Sequence, residues 1–202
     1  MKLERRPASE MKDSGVEWVG EIPENWKVTK LKKISDVRVS NVDKKSDEAE
    51  PEVLLCNYID VYNNEFITSK INFMKATASL EQIKKFTLKK EDVIITKDSE
   101  EPTDIAVPAL VNENLEGVVC GYHLALIRPN IKVIIGRFLL RQFQTKSINE
   151  QFVIAANGVT RFGLKTSRIL NANFVVPPPL RANPNRQLSR VQNLKNSKTN
   201  RR

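Results

Sequence analysis

The sequence predicts a single α+β domain with a curved, mainly antiparallel sheet and a few packed helices. Short β-rich apolar runs are interspersed with helical segments, the connections between them are short, and no internal repeat is visible. With 202 residues, 40% of them hydrophobic, the chain is long enough to bury one core. We expect a flexible N-terminus at residues 1–10, the domain itself at residues 11–180, and a tail at residues 181–202.

The strands are predicted from apolar runs bounded by turn residues. They are expected at residues 53–61, 66–68, 71–73, 92–96, 105–111, 118–127 and 173–176. Val28, Leu31 and Ile34 indicate a further short strand or helix. Gly117 and Gly121 are expected at bulges or turns.

Capping boxes mark two of the expected helices. Ser79 with Gln82 predicts a helix whose Leu80, Ile83 and Phe86 face inward, and residues 138–143 begin a second helix. A third is predicted from Ser147 and Glu150, and its apolar face consists of Ile148, Phe152, Ala155 and Ala156. Gly158 follows where a left-handed cap would end that helix.

The loop after the third helix carries groups suited to binding. It reads Gly158-Val159-Thr160-Arg161-Phe162-Gly163-Leu164, so a hydroxyl, a guanidinium and an aromatic ring lie between glycines that allow close backbone approach. The alternative is a plain helix-to-strand connection with Arg161 in solvent. Near the N-terminus, Trp18 and Trp26 frame a Gly- and Pro-containing segment that we expect to clamp onto the core rather than bind a ligand.

Charge and cysteine content restrict the possible functions. The net charge is +9, but the segment after residue 179 has seven basic and no acidic residues, so the first 179 residues carry only +2. Lys84, Lys85, Lys89 and Lys90 form either a phosphate-binding patch or a solvated helix end. No apolar run is long enough to cross a membrane, which favours a cytoplasmic protein.

Cys56 and Cys120 are expected to be buried free thiols. Cys120 and His123 have metal-ligand spacing, but no second pair completes a zinc site, so we expect no bound metal.

The order of several motifs resembles the target recognition domains of type I restriction-modification specificity subunits. The first of these motifs is the segment from Met11 to Pro23 together with Trp26, which resembles the N-terminal signature of the family. The later motifs are Asp92-Val93-Ile94-Ile95-Thr96-Lys97-Asp98-Ser99, Cys120-Gly121-Tyr122-His123, Gly158-Val159-Thr160-Arg161 and Val176-Pro177-Pro178-Pro179-Leu180.

The resemblance implies a non-catalytic reader of double-stranded DNA without a cofactor of its own. Such subunits direct methyltransferase subunits, which carry S-adenosylmethionine, and ATP-dependent restriction subunits to a split target site. The residues agree with this division, because no adenine-methyltransferase Pro-Pro-aromatic motif, glycine-rich cofactor loop or phosphate-binding Gly-Lys-Ser/Thr run is present.

Eight residues are candidates for DNA contact. Arg161 can hold guanine through two bonds, Asn157 can hold adenine, and Thr160 can meet a thymine methyl or a phosphate. The other candidates are Gly158, which lets the loop backbone approach, and Lys97, Ser99, Asn57 and Tyr58, which are expected at strand ends.

After Arg181 the sequence departs from the family pattern. Residues 182–186 contain a helix-breaking Ala-Asn-Pro-Asn-Arg run where the family has a long scaffold helix, so we expect a disordered basic tail and a chain truncated after one recognition domain. Docking of the partner subunits is doubtful without that helix. Two other functions stay open: a small metal-dependent nuclease using Asp92, Asp98 and Asp104, and a protein-interaction domain with no DNA role.

Overall fold

The computed structural model describes residues 6–178, whose backbone contains fifteen strands and five α-helices. The strands are β1 (Met11–Asp13), β2 (Glu21–Pro23), β3 (Lys27–Lys30), β4 (Ser35–Val39), β5 (Glu52–Cys56), β6 (Phe66–Ile67), β7 (Met74–Thr77), β8 (Thr87–Leu88), β9 (Val93–Thr96), β10 (Asp98–Ser99), β11 (Pro108–Val111), β12 (Leu115–Cys120), β13 (Leu124–Pro129), β14 (Phe162–Gly163) and β15 (Asn173–Val176). The helices are α1 (Tyr58–Asn63), α2 (Leu80–Phe86), α3 (Gly136–Phe143), α4 (Lys146–Ala155) and α5 (Thr166–Asn171).

Two main sheets organise these strands. One has the order β4-β13-β9-β11-β6 and the other β7-β5-β12-β8, and three further pairs join β1 to β2, β3 to β15 and β10 to β14. Within the described residues, only the β11–β6 and β12–β5 pairs are parallel. The predicted α+β class and the mainly antiparallel pairing are therefore confirmed, and the strands are divided between two main sheets.

The central strands β9 and β13 are buried on both faces. Val93 and Ile95 belong to a core cluster with α3 and α4, whereas Ile94, between them in the chain, faces a second cluster with β5 and β12. Successive side chains of a strand point to opposite faces, so a strand with a core on each side must be apolar throughout. This explains why β9 reads as an uninterrupted apolar run.

A buried ion pair joins the two strands at their ends. Asp92, 1% exposed, accepts bonds at 2.8 and 2.7 Å from Arg128, and the Lys89 amide also donates to it at 2.8 Å. Arg128 donates another bond to the Thr87 carbonyl at 3.0 Å. The bond to Asp92 raises the pKa of the Arg128 guanidinium, so Arg128 stays charged near neutral pH.

Several predicted helices and turns are confirmed in position. Ser79 and Gln82 form a reciprocal capping box at the start of α2, and α3 begins two residues before the predicted segment. Gly117 has a φ of +76° beside a register shift in β12, which is the expected bulge. Phe86 is buried as expected, whereas Leu80 is 75% exposed because α2 turns its first residue outward.

Other local predictions were wrong. Residues 58–61 are helical rather than extended, because Asn57 and Asp60 form a capping box that starts α1 directly after β5. The strand expected at residues 71–73 begins at Met74. Trp26 is buried in the core, but Trp18 is 45% exposed, so only one indole clamps the N-terminal segment.

The C-terminal helix prediction also needs correction at both ends. Thr145 precedes the first residue of α4, so Ser147 lies inside the helix instead of capping it. Gly158 does not adopt the left-handed cap conformation, because α4 already ends at Ala155 and Ala156 is extended. Ile148 and Phe152 are buried on the predicted face.

Both cysteines are buried free thiols, as expected, and they are aligned on the paired strands β5 and β12. Burial raises the pKa of both thiols. No helix of residues 6–178 has the length and apolarity to span a bilayer. Residues 1–5, Pro179, Leu180 and the predicted basic tail at residues 181–202 lie outside the described residues.

Replacing Arg128 with alanine is expected to lower the free energy of unfolding by about 3–5 kcal/mol, because it leaves the buried Asp92 carboxylate without its cation. Chemical denaturation checks this value. Arg168, which is exposed on α5, provides the matched control, and its alanine variant should change stability by less than about 0.5 kcal/mol. Equal stability of the two variants would contradict a structural role for the Asp92–Arg128 pair.

Candidate functional site

A cleft of about 790 Å³ lies where several loops meet beside β10 and α1. It is lined by Val42, Asp43, Lys44, Lys45, Leu55, Asn57, Tyr58, Ile59, Asp98, Ser99, Glu100, Glu101, Asp104, Tyr122, His123 and Arg161. We call it the recognition cleft. Its lining combines aromatic, amide, hydroxyl and charged side chains with the apolar residues Val42, Leu55 and Ile59, as in sites that bind a partner by shape and a few hydrogen bonds.

The start of α1 forms one side of the recognition cleft. The Asn57 side chain accepts the Ile59 amide at 3.0 Å, and Asp60 accepts the Asn57 amide at 2.8 Å. This capping box fixes the direction in which α1 leaves β5. Because the Asn57 oxygen caps the helix, its amide nitrogen is the part of that side chain available to a partner.

A hairpin at residues 157–163 carries Arg161 to the cleft. Asn157 and Gly163 exchange two backbone hydrogen bonds, at 3.1 and 2.9 Å, which close the hairpin. Gly158 has a φ of +154°, and a Cβ atom there would lie 1.9 Å from the Arg161 carbonyl oxygen. Only glycine fits at this position, so the tight turn depends on it.

The hairpin is attached to the main body through β10. Asp98 pairs with Gly163 and Ser99 with Phe162, and the Leu164 amide donates to the Lys97 carbonyl at 2.9 Å. A Cβ at position 163 would approach the Asp98 carboxylate to 2.8 Å, so any larger residue there would displace that carboxylate. Residues 157–161 remain exposed, and the Arg161 side chain has no hydrogen-bond or ion-pair partner within residues 6–178.

Asp98, Tyr122 and His123 form another wall of the cleft, and Lys97 contacts them without lining it. Lys97 donates to both oxygens of Asp98 at 2.8 Å, and His123 Nδ1 lies 2.5 Å from Asp98 Oδ2. The His123 ring lies against Tyr122, with 4.0 Å between ring centroids, and the Lys97 ammonium is 5.9 Å from the Tyr122 ring. The Asp98 carboxylate therefore lines the cleft as part of an ion pair with Lys97.

Two tyrosines stack along the α1 side. Tyr58 and Tyr62 have ring centroids 5.6 Å apart, and the Tyr62 hydroxyl donates to Asp104 at 2.6 Å. Burial raises the pKa of Tyr58, and the bond to Asp104 raises the pKa of Tyr62. Both phenols consequently keep their protons near neutral pH and act as hydrogen-bond donors.

The structure brings half of the predicted contact residues together. Arg161, Asn57, Tyr58 and Ser99 line the recognition cleft, although they are far apart in sequence. Asn157, Gly158 and Thr160 lie on the exposed hairpin next to it but do not line it. Lys97 lies behind the wall, paired with Asp98.

Asn157 and Ser99 are less available to a partner than the sequence predicted. The Asn157 amide nitrogen donates to the Ala155 carbonyl at 2.7 Å, so a two-bond contact with adenine requires that internal bond to break. Ser99 is only 6% exposed and accepts the Glu101 amide at 3.2 Å, which places it at the cleft floor.

Sequence reasoning did not single out Lys44, Lys45, Tyr122 and His123 as site residues. His123 was considered only as a metal ligand with Cys120, yet the Cys120 side chain is fully buried and His123 faces Asp98. The available signal was the adjacent pair Tyr122 and His123, which contains the chain's one histidine.

The three carboxylates considered for a nuclease do not converge. Asp98 and Asp104 line the cleft, whereas Asp92 is buried against Arg128. No group of three or more histidine, cysteine or acidic side chains within residues 6–178 is arranged to hold a metal ion.

Comparison with known families identifies the domain. Residues 23–196 match the family model described as the type I restriction modification DNA specificity domain. The chain belongs to this family. The match continues past residue 180, so the domain end expected there stays a prediction.

Individual relatives of the specificity domain agree with the assignment. A protein of Methanocaldococcus jannaschii assigned as a type I restriction enzyme MjaX specificity subunit is 24% identical over 163 residues, covering 79% of this chain and 37% of its own length. This chain thus spans little more than a third of that relative.

Solved structures show the same fold. The HsdS subunit from Thermoanaerobacter tengcongensis superposes with a TM-score of 0.56 at 13% identity, covering 94% of this chain and 41% of that one. A chain from a structure on complex assembly and conformational transition of a type I R-M system gives a TM-score of 0.59 at 14% identity, with coverage of 94% and 41%.

Replacing Gly158 with alanine is expected to open the 157–163 hairpin, because the new Cβ collides with the Arg161 carbonyl. The cost should be about 1–3 kcal/mol, visible as faster hydrogen exchange of the Asn157 and Gly163 amides. Gly15 is the control: its φ is +72°, but nothing lies within 4 Å of the added Cβ. Its alanine variant should leave exchange in the hairpin unchanged, and unchanged exchange in the Gly158 variant would contradict the steric argument.

Proposed function

We propose that this domain selects a short sequence of double-stranded DNA and contributes no chemistry of its own. In this proposal it acts as a specificity subunit, or one recognition domain of such a subunit, in a type I restriction-modification system. Methylation and cleavage belong to partner methyltransferase and restriction subunits, and the domain itself needs no cofactor.

The observation that carries the proposal is the convergence of Arg161, Asn57, Tyr58 and Ser99 at one cleft in a member of this family. A guanidinium without an internal partner is free to donate two parallel bonds to guanine O6 and N7. Asn57 adds an amide donor, and Tyr58 adds a phenol and a stacking surface. Such groups read base edges, whereas lysines alone would give only charge.

The charge distribution supports local rather than global attraction to DNA. Lys44 and Lys45 project from an exposed loop at the cleft, and Lys84, Lys85, Lys89 and Lys90 lie around the end of α2. Phosphate contacts by such residues release counterions, so binding should weaken steeply as salt increases. The carboxylates of the cleft oppose close phosphate approach there, which favours placing base edges against the cleft and the phosphates against the lysines.

The proposed partner proteins are inferred from the family and from the proposed function. Specificity subunits work with methyltransferase and restriction subunits, and we propose the same two partners for the protein that contains this domain. A subunit that reads cellular and incoming DNA acts in the cytoplasm.

A selection from random duplexes tests the proposal. The chain is incubated with a pool of randomised double-stranded DNA at two salt concentrations, and the bound sequences are read. We expect enrichment of one short half-site of about three to five base pairs, with weaker binding but the same preference at higher salt. Binding without any sequence preference, or cleavage of the pool by the chain alone, would contradict the proposal.

The Arg161→Ala variant should relax the preference at one base pair of that half-site by about 1–3 kcal/mol, because the two bonds to guanine are lost. Quantitative binding to single-base variants of the selected duplex measures the change. Arg168→Ala removes the same charge from a guanidinium that does not line the cleft. If both variants weaken all duplexes equally, Arg161 contributes only charge and its assignment as a base reader is wrong.

A further inference from the structure

The Lys97–Asp98–His123 network fixes one proton position in the wall of the recognition cleft. Both oxygens of Asp98 accept bonds from the Lys97 ammonium, so Asp98 also acts as an acceptor toward the Nδ1 atom 2.5 Å away, and Nδ1 is the donor. The remaining ring nitrogen, Nε2, makes no hydrogen bond to any of residues 6–178. It is a bare acceptor in the neutral imidazole and an N–H donor in the imidazolium.

The position of His123 is maintained against a conformational cost. Its φ is +69°, a left-handed conformation that residues other than glycine seldom adopt. Asp98 in turn is held by the two bonds from Lys97 and by the β10–β14 pairing. Unfavourable backbone geometry that the surroundings maintain is more frequent at functional sites than elsewhere.

We infer that His123 is a specificity-determining residue of the recognition cleft and that Asp98 is its positioning residue. In the neutral imidazole, Nε2 accepts a hydrogen bond from an exocyclic amino group, either adenine N6 or cytosine N4. In the imidazolium, the same atom donates to guanine O6 or N7 instead. The inference rests on the proposed function, since it concerns which base the same cleft reads.

The chain provides an unusually clean test, because His123 is its one histidine. Imidazole is the side-chain group whose ordinary pKa, about 6.5, lies between pH 5 and pH 8. Besides Asp98, the charged residues that line the cleft with His123 are the cations Arg161, Lys44 and Lys45 and the anions Asp43, Glu100, Glu101 and Asp104. Ordinary carboxylate, ammonium and guanidinium groups do not change charge between about pH 5.5 and pH 8.

The experiment repeats the duplex selection with the full chain at about pH 8 and about pH 5.5. At the higher pH we expect adenine or cytosine to be preferred at one position of the half-site by roughly two- to tenfold, the contribution of one hydrogen bond. At the lower pH that preference should shift to guanine at the same position only.

Two variants separate base reading from structural support. His123→Asn retains a residue type that tolerates positive φ and can still donate to Asp98, but it does not titrate, so the pH dependence should disappear. Asp98→Asn can pair with either tautomer of the neutral imidazole, so it should flatten the adenine or cytosine preference at the higher pH. The guanine preference at the lower pH should persist, because both ring nitrogens of the imidazolium carry a hydrogen. Thermal unfolding of each variant confirms that it folds, and Arg168→Ala should behave like the unchanged chain.

The outcomes distinguish this inference from the proposed function. A clear half-site that is identical at both pH values, or a pH shift that persists in His123→Asn, overturns the role of His123 and leaves the DNA-reading proposal intact. A pool with no enriched sequence under any condition overturns both. Loss of the shift in a folded His123→Asn variant supports the inference.

Discussion

The geometry of the candidate site depends on a two-residue ladder between β10 and β14. This pairing joins Asp98 and Ser99 to Phe162 and Gly163, which are more than sixty positions later in the chain. Without it, the exposed hairpin would have no fixed relation to the central sheets. With it, a guanidinium on one segment and a carboxylate network on another face the same space. The two glycines of the hairpin allow the backbones to approach closely enough for this arrangement.

If the recognition cleft reads DNA as proposed, its charges explain how a nearly balanced domain binds a polyanion. Asp98 is matched by Lys97, and Asp104 accepts a bond from Tyr62, so two of the carboxylates are already engaged. Carboxylates near a nucleic acid repel phosphates but accept bonds from base amino groups. A mixed cleft flanked by lysines therefore favours a particular orientation of the duplex. It also makes binding more dependent on sequence than a uniformly basic surface would.

The sequence predicted local features well wherever one short stretch determines them. Residue types and spacing predicted strand β9, the capping box at Ser79 and the bulge at Gly117. The helix after Asn57 was missed because its apolar residues continue the preceding strand, although the Asn57–Asp60 capping box was present in the sequence. The pairing of the hairpin with β10 was not predictable, since non-local contacts leave no periodic signal. The contact between His123 and Asp98 was missed for the same reason.

The proposed function depends on base reading at the recognition cleft and the 157–163 hairpin. Hydrogen exchange of the chain, measured with and without its selected duplex, tests it most directly, because protection reports where the partner covers backbone amides. We predict increased protection at residues 57–59, 99–101 and 157–163, which disappears when an unrelated duplex is used at moderate salt. Protection confined to other parts of the chain, with these segments unchanged, would contradict the account.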